Sequence, residues 1–370
     1  MAKKKTIPSD EYPDDLAQEE EEVLSQDDSS DQPPTDIVAF NELRSCADLV
    51  RMYESDQLEI KPDFQRDIVW PNASQTRFID SLTKQLPIPS MCIGLDYNTN
   101  SRIVIDGLQR MWSIIRFLTE DNWKLSSLKD IDHRLSGRRV SYVKEHHAAT
   151  YGKVENLTIP VTVLRCDYNK SNHMEYLFTI FHRLNTGGNK LTNQEIRNCI
   201  YSGDFNELLK TSTQNQHFRD LFNLEDDKGY RYAYEEFVLR FYAFSDRYDD
   251  YDGNLSSYLN SYMEAARKKF DDNDLAAKLD LFNRTVDVIF NRITSGAALP
   301  KLSKATCEAL FVGVGRNIET AEAKTKPQLK AKFKDLRTAE EFSLENLKNA
   351  ITTKPKLIAR MNRADNVFAE

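Results

Sequence analysis

The sequence predicts an α+β protein: a small mixed β-sheet in the first folded part, followed by a mainly α-helical region. Three observations lead there. Met91, Ile93, Leu95 and Tyr97 alternate with Cys92, Gly94 and Asp96, and Leu157, Ile159, Val161 and Val163 repeat that two-residue period of a strand. Apolar stripes at helical spacing lie between these strands. After about residue 170 the strand signal fades and helical spacing alone recurs.

The elements follow in order. Residues 1–36 carry three lysines and twelve acids, a net charge of -9, with few large apolar side chains. Such a segment cannot bury enough surface to offset its ordering entropy, and it reads as an acidic disordered tail. The rest of the chain then accounts for +1 of the overall -8, so its charge neither demands nor excludes nucleic acid. The first folded part is expected over 37–166. Phe78, Ile79, Leu82 and Leu86 form an apolar helical stripe, with Ser74 as a candidate cap. Arg102–Ile105 is a short β-branched strand ending at Asp106-Gly107. A second amphipathic helix continues through Leu108, Met111, Trp112, Ile115 and Leu118. The helical part is expected over 167–370, with helices at 172–184 and 192–210 around a turn at Asn185-Thr186-Gly187-Gly188. Further stripes occur at Phe237, Phe241 and Phe244 and at Phe282, Val286, Ile289, Phe290 and Ile293. Segments 246–254 and 321–328 read as flexible loops.

Several functions are excluded. No apolar run approaches the ~20 residues of a membrane span, and no secretory signal follows the basic start. The five cysteines are scattered, without CxxC, which fits a reducing cytoplasm better than a disulfide framework or a cysteine zinc site. There is no GxxxxGK[ST], GxGxxG after a strand, GxSxG or HExxH. In DRYDDYDGN, aligning Gly253 with the glycine of a calcium loop puts Tyr248 and Leu259 at ligand positions, so that reading fails. No histidine lies beyond His217, which removes a C-terminal nuclease site with a histidine base. The tyrosine-rich stretch 230–251 reads as a core helix rather than a base-stacking surface.

The pattern that carries chemistry is Phe64-Gln65-Arg66 together with Ile105-Asp106-Gly107-Leu108-Gln109-Arg110. The second motif spans a strand end, a glycine turn and a helix start. Backbone N–H groups there are unpaired and the helix dipole favours an anion, so a phosphate is well placed. Gly107 allows close backbone approach. Arg110, one turn in, can clamp a phosphate through two N–H donors, and Arg66 supplies a second clamp if the two loops meet. Asp106 can hold a magnesium ion or orient an attacking water, and Gln65 and Gln109 can position that water or bind a base edge. Equally open is a structural reading, with Asp106 capping the helix and Arg66 and Arg110 fixing the loops by ion pairs.

KPDFQRDIVWPNASQTRFIDSLTKQLPIPSMCIG, followed by IVIDGLQRMWSIIRFL, resembles the GmrSD-type restriction domain, also known as domain of unknown function 262. FHRLNTGGNKLTNQEIRNCIYSG resembles that family's second block, and RYAYEEFVLRFYAF and LSSYLNSYMEAARKKF resemble later blocks of its short single-domain form. The similarity spans roughly 40–320. It implies a fold related to the ParB and sulfiredoxin nucleotide-binding domain, with helices behind it. It also implies binding of a nucleoside triphosphate, and in several members its hydrolysis, with Mg2+ or Mn2+. The family's DGQQR motif matches Asp106, Gly107, Gln109 and Arg110, while Leu108 replaces its first glutamine, and FQR is intact at Phe64, Gln65 and Arg66. The resemblance brings Asn185 and Thr186 into the same cleft, with Glu195 and Arg197 tying the following helix to that turn.

The expected function is therefore nucleotide binding and hydrolysis in DNA restriction and phage defence, with Asp106, Gln109 and Arg110 catalytic and Asp106 holding the metal. Two alternatives stand beside it. One is a non-catalytic, nucleotide-responsive sensor or DNA-binding module working with a partner nuclease or by self-association; Arg138-Arg139 and Arg267–Lys269 are its candidate basic clusters. The other is a metal-dependent DNA nickase. A cytoplasmic protein without membrane partners is expected.

Overall fold

The structure is a computed structural model and describes residues 34–60, 70–184, 192–225, 232–348 and 351–370. The expected tail over 1–36 lies almost wholly outside these residues. Two compact units divide between 184 and 192, so the helix Ser171–Leu184 groups with the sheet rather than with the helices after it.

The N-terminal unit is built on five strands in the order β1-β5-β3-β4-β2. These are β1 (Val38–Ser45), β2 (Leu58–Glu59), β3 (Met91–Asp96), β4 (Arg102–Asp106) and β5 (Thr158–Cys166). β3 and β5 run parallel, as do β2 and β4, while β1 pairs antiparallel with β5 and β3 with β4. The sheet is thus small and mixed, as the sequence predicts. Met91, Ile93, Val104, Ile159, Val161 and Val163 bury one face in a single apolar cluster with side chains of α1 (Cys46–Glu54), α2 (Asn72–Thr83), α3 (Leu108–Thr119), α4 (Val140–His146) and α5 (Ala148–Asn156). α6 (Ser171–Leu184) contacts β4 and buries Met174, Leu177, Phe178 and Phe181.

Ser45 caps α1 by accepting the Asp48 N–H at 3.0 Å. The expected cap of α2 is corrected: its N-cap is Pro71, and Ser74 lies inside the helix, donating its N–H to Pro71 O at 2.8 Å. Proline supplies the extended φ needed to enter the helix.

The second unit is helical: α7 (Asn193–Ile200), α8 (Asp204–Thr213), α9 (Gln216–Leu221), α10 (Ala233–Arg247), α11 (Leu255–Lys269), α12 (Asp272–Val288), α13 (Lys304–Arg316), α14 (Ile318–Ala323), α15 (Lys326–Thr338), α16 (Leu344–Leu347) and α17 (Lys354–Ala369). The helix expected over 192–210 is two helices, because Gly203 at φ 149° interrupts it. α13 is buried along nearly its whole length and packs on α17. Gly313 makes that approach possible, since a Cβ there would come within 2.8 Å of Ala364 O. The tyrosine-rich stretch forms part of α10, whose Tyr242 and Phe244 are fully buried, so it is core. Both segments expected as flexible loops carry helix: a 3-10 turn at Tyr248–Asp250, and the end of α14 with the start of α15. The capping box of Thr325 and Gln328, with Pro327 in the first turn, starts α15 inside the segment expected as a loop.

All five cysteines are buried and none is in a disulfide, and burial pushes the thiols of Cys46, Cys92 and Cys166 up to about 12. Among the described residues, no helix is long and apolar enough to cross a membrane.

Candidate functional site

The site grows from the end of β4. Leu95, Gly94 and Ile93 face Arg102, Ile103 and Val104 in turn, but Cys92 then faces Asp106, so Ile105 is an extra residue. This bulge moves Asp106 out of register with Met91 and off the face that Ile93 and Val104 bury. An unbulged strand would direct a carboxylate into the apolar cluster.

Gly107 follows at φ 99°, ψ 15°, a left-handed conformation that costs glycine little. It is the N-cap of α3, and no side chain caps the helix. Asp106 is therefore not the cap, and the capping reading of that residue is set aside. A Cβ on Gly107 would lie 2.7 Å from Met91 Cγ and 3.1 Å from Arg110 Nη2. Glycine is required here both for φ and for space.

Arg110 Nη2 donates to Asp106 Oδ2 at 2.7 Å, and the same nitrogen reaches Ser90 O at 3.4 Å. Its Nη1 donates to Pro89 O. The guanidinium thus pins the entry of β3 to the exit of β4, and these contacts engage three of its five N–H donors. The Arg110 side chain is 13% exposed and that of Asp106 34%, so the carboxylate is the open end of the pair. The ion-pair reading holds for Arg110, while the carboxylate keeps an accessible edge.

Gln109 makes the longest-range link. Its Oε1 accepts the backbone N–H of Trp70 at 3.3 Å, while Trp70 O accepts from Gln75 Nε2 at 2.9 Å. Trp70 also sets its ring edge-on to Phe78 at 5.7 Å. On the other side, Leu58 and Glu59 pair with Arg102 and Ile103 of β4. The chain on both sides of 61–69 is thereby tied to the β4–α3 segment. Phe64, Gln65 and Arg66 themselves lie outside the described residues, as do Asn185 and Thr186. Leu108 packs against the apolar cluster, as its place on the helical stripe predicts.

Nothing in the sequence marks Trp70, Gln75, Pro89 or Ser90 as site-forming. Trp70 and Ser90 contribute backbone atoms, which leave no pattern in residue identity. Glu195 closes a capping box with Thr192, and Arg197 bonds Asn260 Oδ1 at 2.9 Å within the helical unit.

Among the described residues, no group of three or more His, Cys, Asp or Glu side chains is placed to hold a metal. Asp106 offers a single carboxylate there, and its Oδ2 is held by Arg110. An open depression of about 720 Å³, lined by residues such as Asn72, Arg116 and Trp123, lies at the far end of α3 from Asp106 and shares no residue with the motif.

An α+β domain with a glycine-capped, arginine-bearing helix start at a bulged strand end is the class that this unit defines. The family model described as the GmrSD restriction endonuclease, N-terminal domain, matches residues 46–202. This match supports a GmrSD-type restriction domain over residues 46–202. Searches of curated proteins and of solved structures gave no match.

Proposed function

We propose that the N-terminal unit binds a nucleoside triphosphate at the β4–α3 junction and hydrolyses it, in the service of DNA restriction. The observation that carries this reading is the bond from Trp70 N–H to Gln109 Oε1. Four peptide units separate Trp70 from Arg66, a reach of at most roughly 14 Å. The FQR and DGLQR motifs are therefore tethered to one another, as a two-arginine phosphate site requires.

In this reading the uncapped N–H groups at the start of α3 receive phosphate oxygens. The two Arg110 donors not engaged by Asp106, Pro89 and Ser90 face the same anion, and Arg66 clamps it from the other motif. Asp106, with one oxygen held by Arg110, uses its exposed edge to orient the attacking water. Magnesium or manganese, held by Asp106, would neutralise charge on the phosphates. Asn185 and Thr186 complete the cleft.

Binding of each triphosphate by calorimetry, followed by phosphate release with Mg2+ or Mn2+, tests the proposal. Arg110→Ala is expected to weaken binding by about ten- to a hundredfold, the value of a charged hydrogen bond. Asp106→Asn is expected to keep binding and lose release. Absence of binding by the wild-type protein would sink the reading.

A nucleotide-responsive sensor without turnover is favoured by one observation. Leu108 is spent on packing, where the family motif has a polar side chain. Binding without release in the wild-type protein selects it.

A further inference from the structure

We infer that the outward face of α15 holds the phosphodiester backbone of duplex DNA. The choice of polyanion rests on the DNA-directed setting proposed above; the surface itself is independent of the nucleotide site.

Residues 324–338 contain six basic side chains (324, 326, 330, 332, 334 and 337) against one acid, Asp335, a net of +5 in a chain of net -8. Lys326, Lys330 and Lys334 are exposed and four residues apart. On an α-helix they advance about 6 Å and rotate about 40° per step, so their stems share an arc of about 80°. Asp335 points about 180° away from Lys326 on the same count.

The face beside this strip is buried and holds the helix in place. Leu329 and Leu336 are fully buried and Phe333 nearly so, which seats the helix in its unit. Arg292 Nη1 donates to Glu322 O at 2.5 Å and Lys324 O at 3.0 Å, fixing the approach to α15. Two carboxylates at the approach to α15 are already taken: Arg284 binds Glu319 and Glu322, each at 2.6 Å.

Among the described residues, none of Lys326, Lys330 and Lys334 has an ion-pair partner. Some lysines elsewhere are neutralised, as Lys84 is by Asp80 and Lys278 by Asp246. A row of unpaired ammonium groups on a rigid helix, spaced regularly along its axis, matches a row of phosphates. It offers no bidentate groups for reading base edges, so the contact is independent of sequence. The clusters that the sequence suggested are less available. Arg138 lies over the Tyr142 ring at 4.7 Å, and Lys268 is paired with Glu264 at 2.5 Å.

The test is fluorescence anisotropy of the full chain with a short labelled duplex of arbitrary sequence across a salt series. Each lost phosphate contact reduces the slope of log affinity against log salt by about 0.9. The triple variant Lys326→Ala, Lys330→Ala, Lys334→Ala is expected to lower that slope by about 2 to 3 and keep its helical circular dichroism. Arg138→Ala with Arg139→Ala is expected to leave the slope unchanged. Triphosphate binding by the triple variant should match wild type, which separates failure here from failure of the nucleotide reading. An unchanged slope in the triple variant overturns the inference. So does tighter wild-type binding to polyglutamate than to the duplex, which would assign the strip to an acidic protein.

Discussion

Asp106 and Arg110 meet at 2.7 Å in the N-terminal unit, and Glu308 and Arg240 meet at 2.6 Å in the helical unit. The chemistry is the same and the surroundings are not. Asp106 keeps a third of its side chain exposed, while Arg240 and Glu308 are 4% and 7% exposed. Arg240 also binds Glu236, which in turn holds Arg197 at 3.1 Å. Burial alone would raise the Glu236 carboxyl pKa, but the two arginines outweigh it and hold the group below its ordinary value. Burial pushes the Arg197 guanidinium down. This network is a closed ionic core whose partners need one another. The N-terminal pair is anchored on one side and open on the other. What separates the two pairs is therefore access to water rather than chemical identity.

The largest effect that would break this contrast is expected at Glu308. Glu308→Ala leaves the Arg240 charge buried with one partner fewer, and should cost about 3–5 kcal/mol in denaturant unfolding of the helical unit. A loss under 1 kcal/mol would show that water reaches the network. Gly107→Ala comes next. A left-handed φ and the close Met91 side chain should cost about 1–3 kcal/mol, with a concurrent drop in triphosphate affinity. Arg110→Ala should cost less stability, about 1–2 kcal/mol, because its carboxylate partner can turn to solvent. Its effect on nucleotide binding should exceed its effect on unfolding.

The smallest effect concerns acid. Lys170 and then His173 hydrogen-bond to Asp36 and hold its carboxyl down from 3.8 to about 2. His173 Nδ1 accepts the Asp167 N–H at 2.9 Å, so Nε2 is the donor to Asp36 at 2.8 Å. A lowered carboxyl pKa contributes stability that is present above the unfolded value and lost as pH falls through the folded one. The anchor before β1 should therefore loosen between about pH 4 and 2. Hydrogen exchange of the β1 amides reads this, and Asp36→Asn should abolish the pH dependence.

Much of the fold was legible. β3 and β5 carry alternating apolar residues and β4 a β-branched run, although β3 and β4 are buried on both faces, and α3 shows its stripe from Leu108 to Leu118. β1 was not legible. Its Val38, Phe40 and Leu43 stay exposed, so no buried face leaves a pattern, and it is a strand because its backbone pairs with β5. The beginning of α15 was hidden for a related reason. Segment 321–328 reads as a flexible loop, while Leu329, Phe333 and Leu336 hold the helix that begins in it.

At the site, residue types and their spacing along the chain were sufficient to single out Asp106, Gly107, Gln109 and Arg110. A glycine between a strand and an amphipathic helix is a local signal, set by neighbours within a few residues. Tertiary structure alone decided that Ile105 bulges, that Arg110 spends donors on Pro89 and Ser90, and that Gln109 grips Trp70. Those outcomes depend on strand register and on backbone atoms distant in sequence. Register is a cooperative property of the whole sheet, and a backbone carbonyl is the same in every residue.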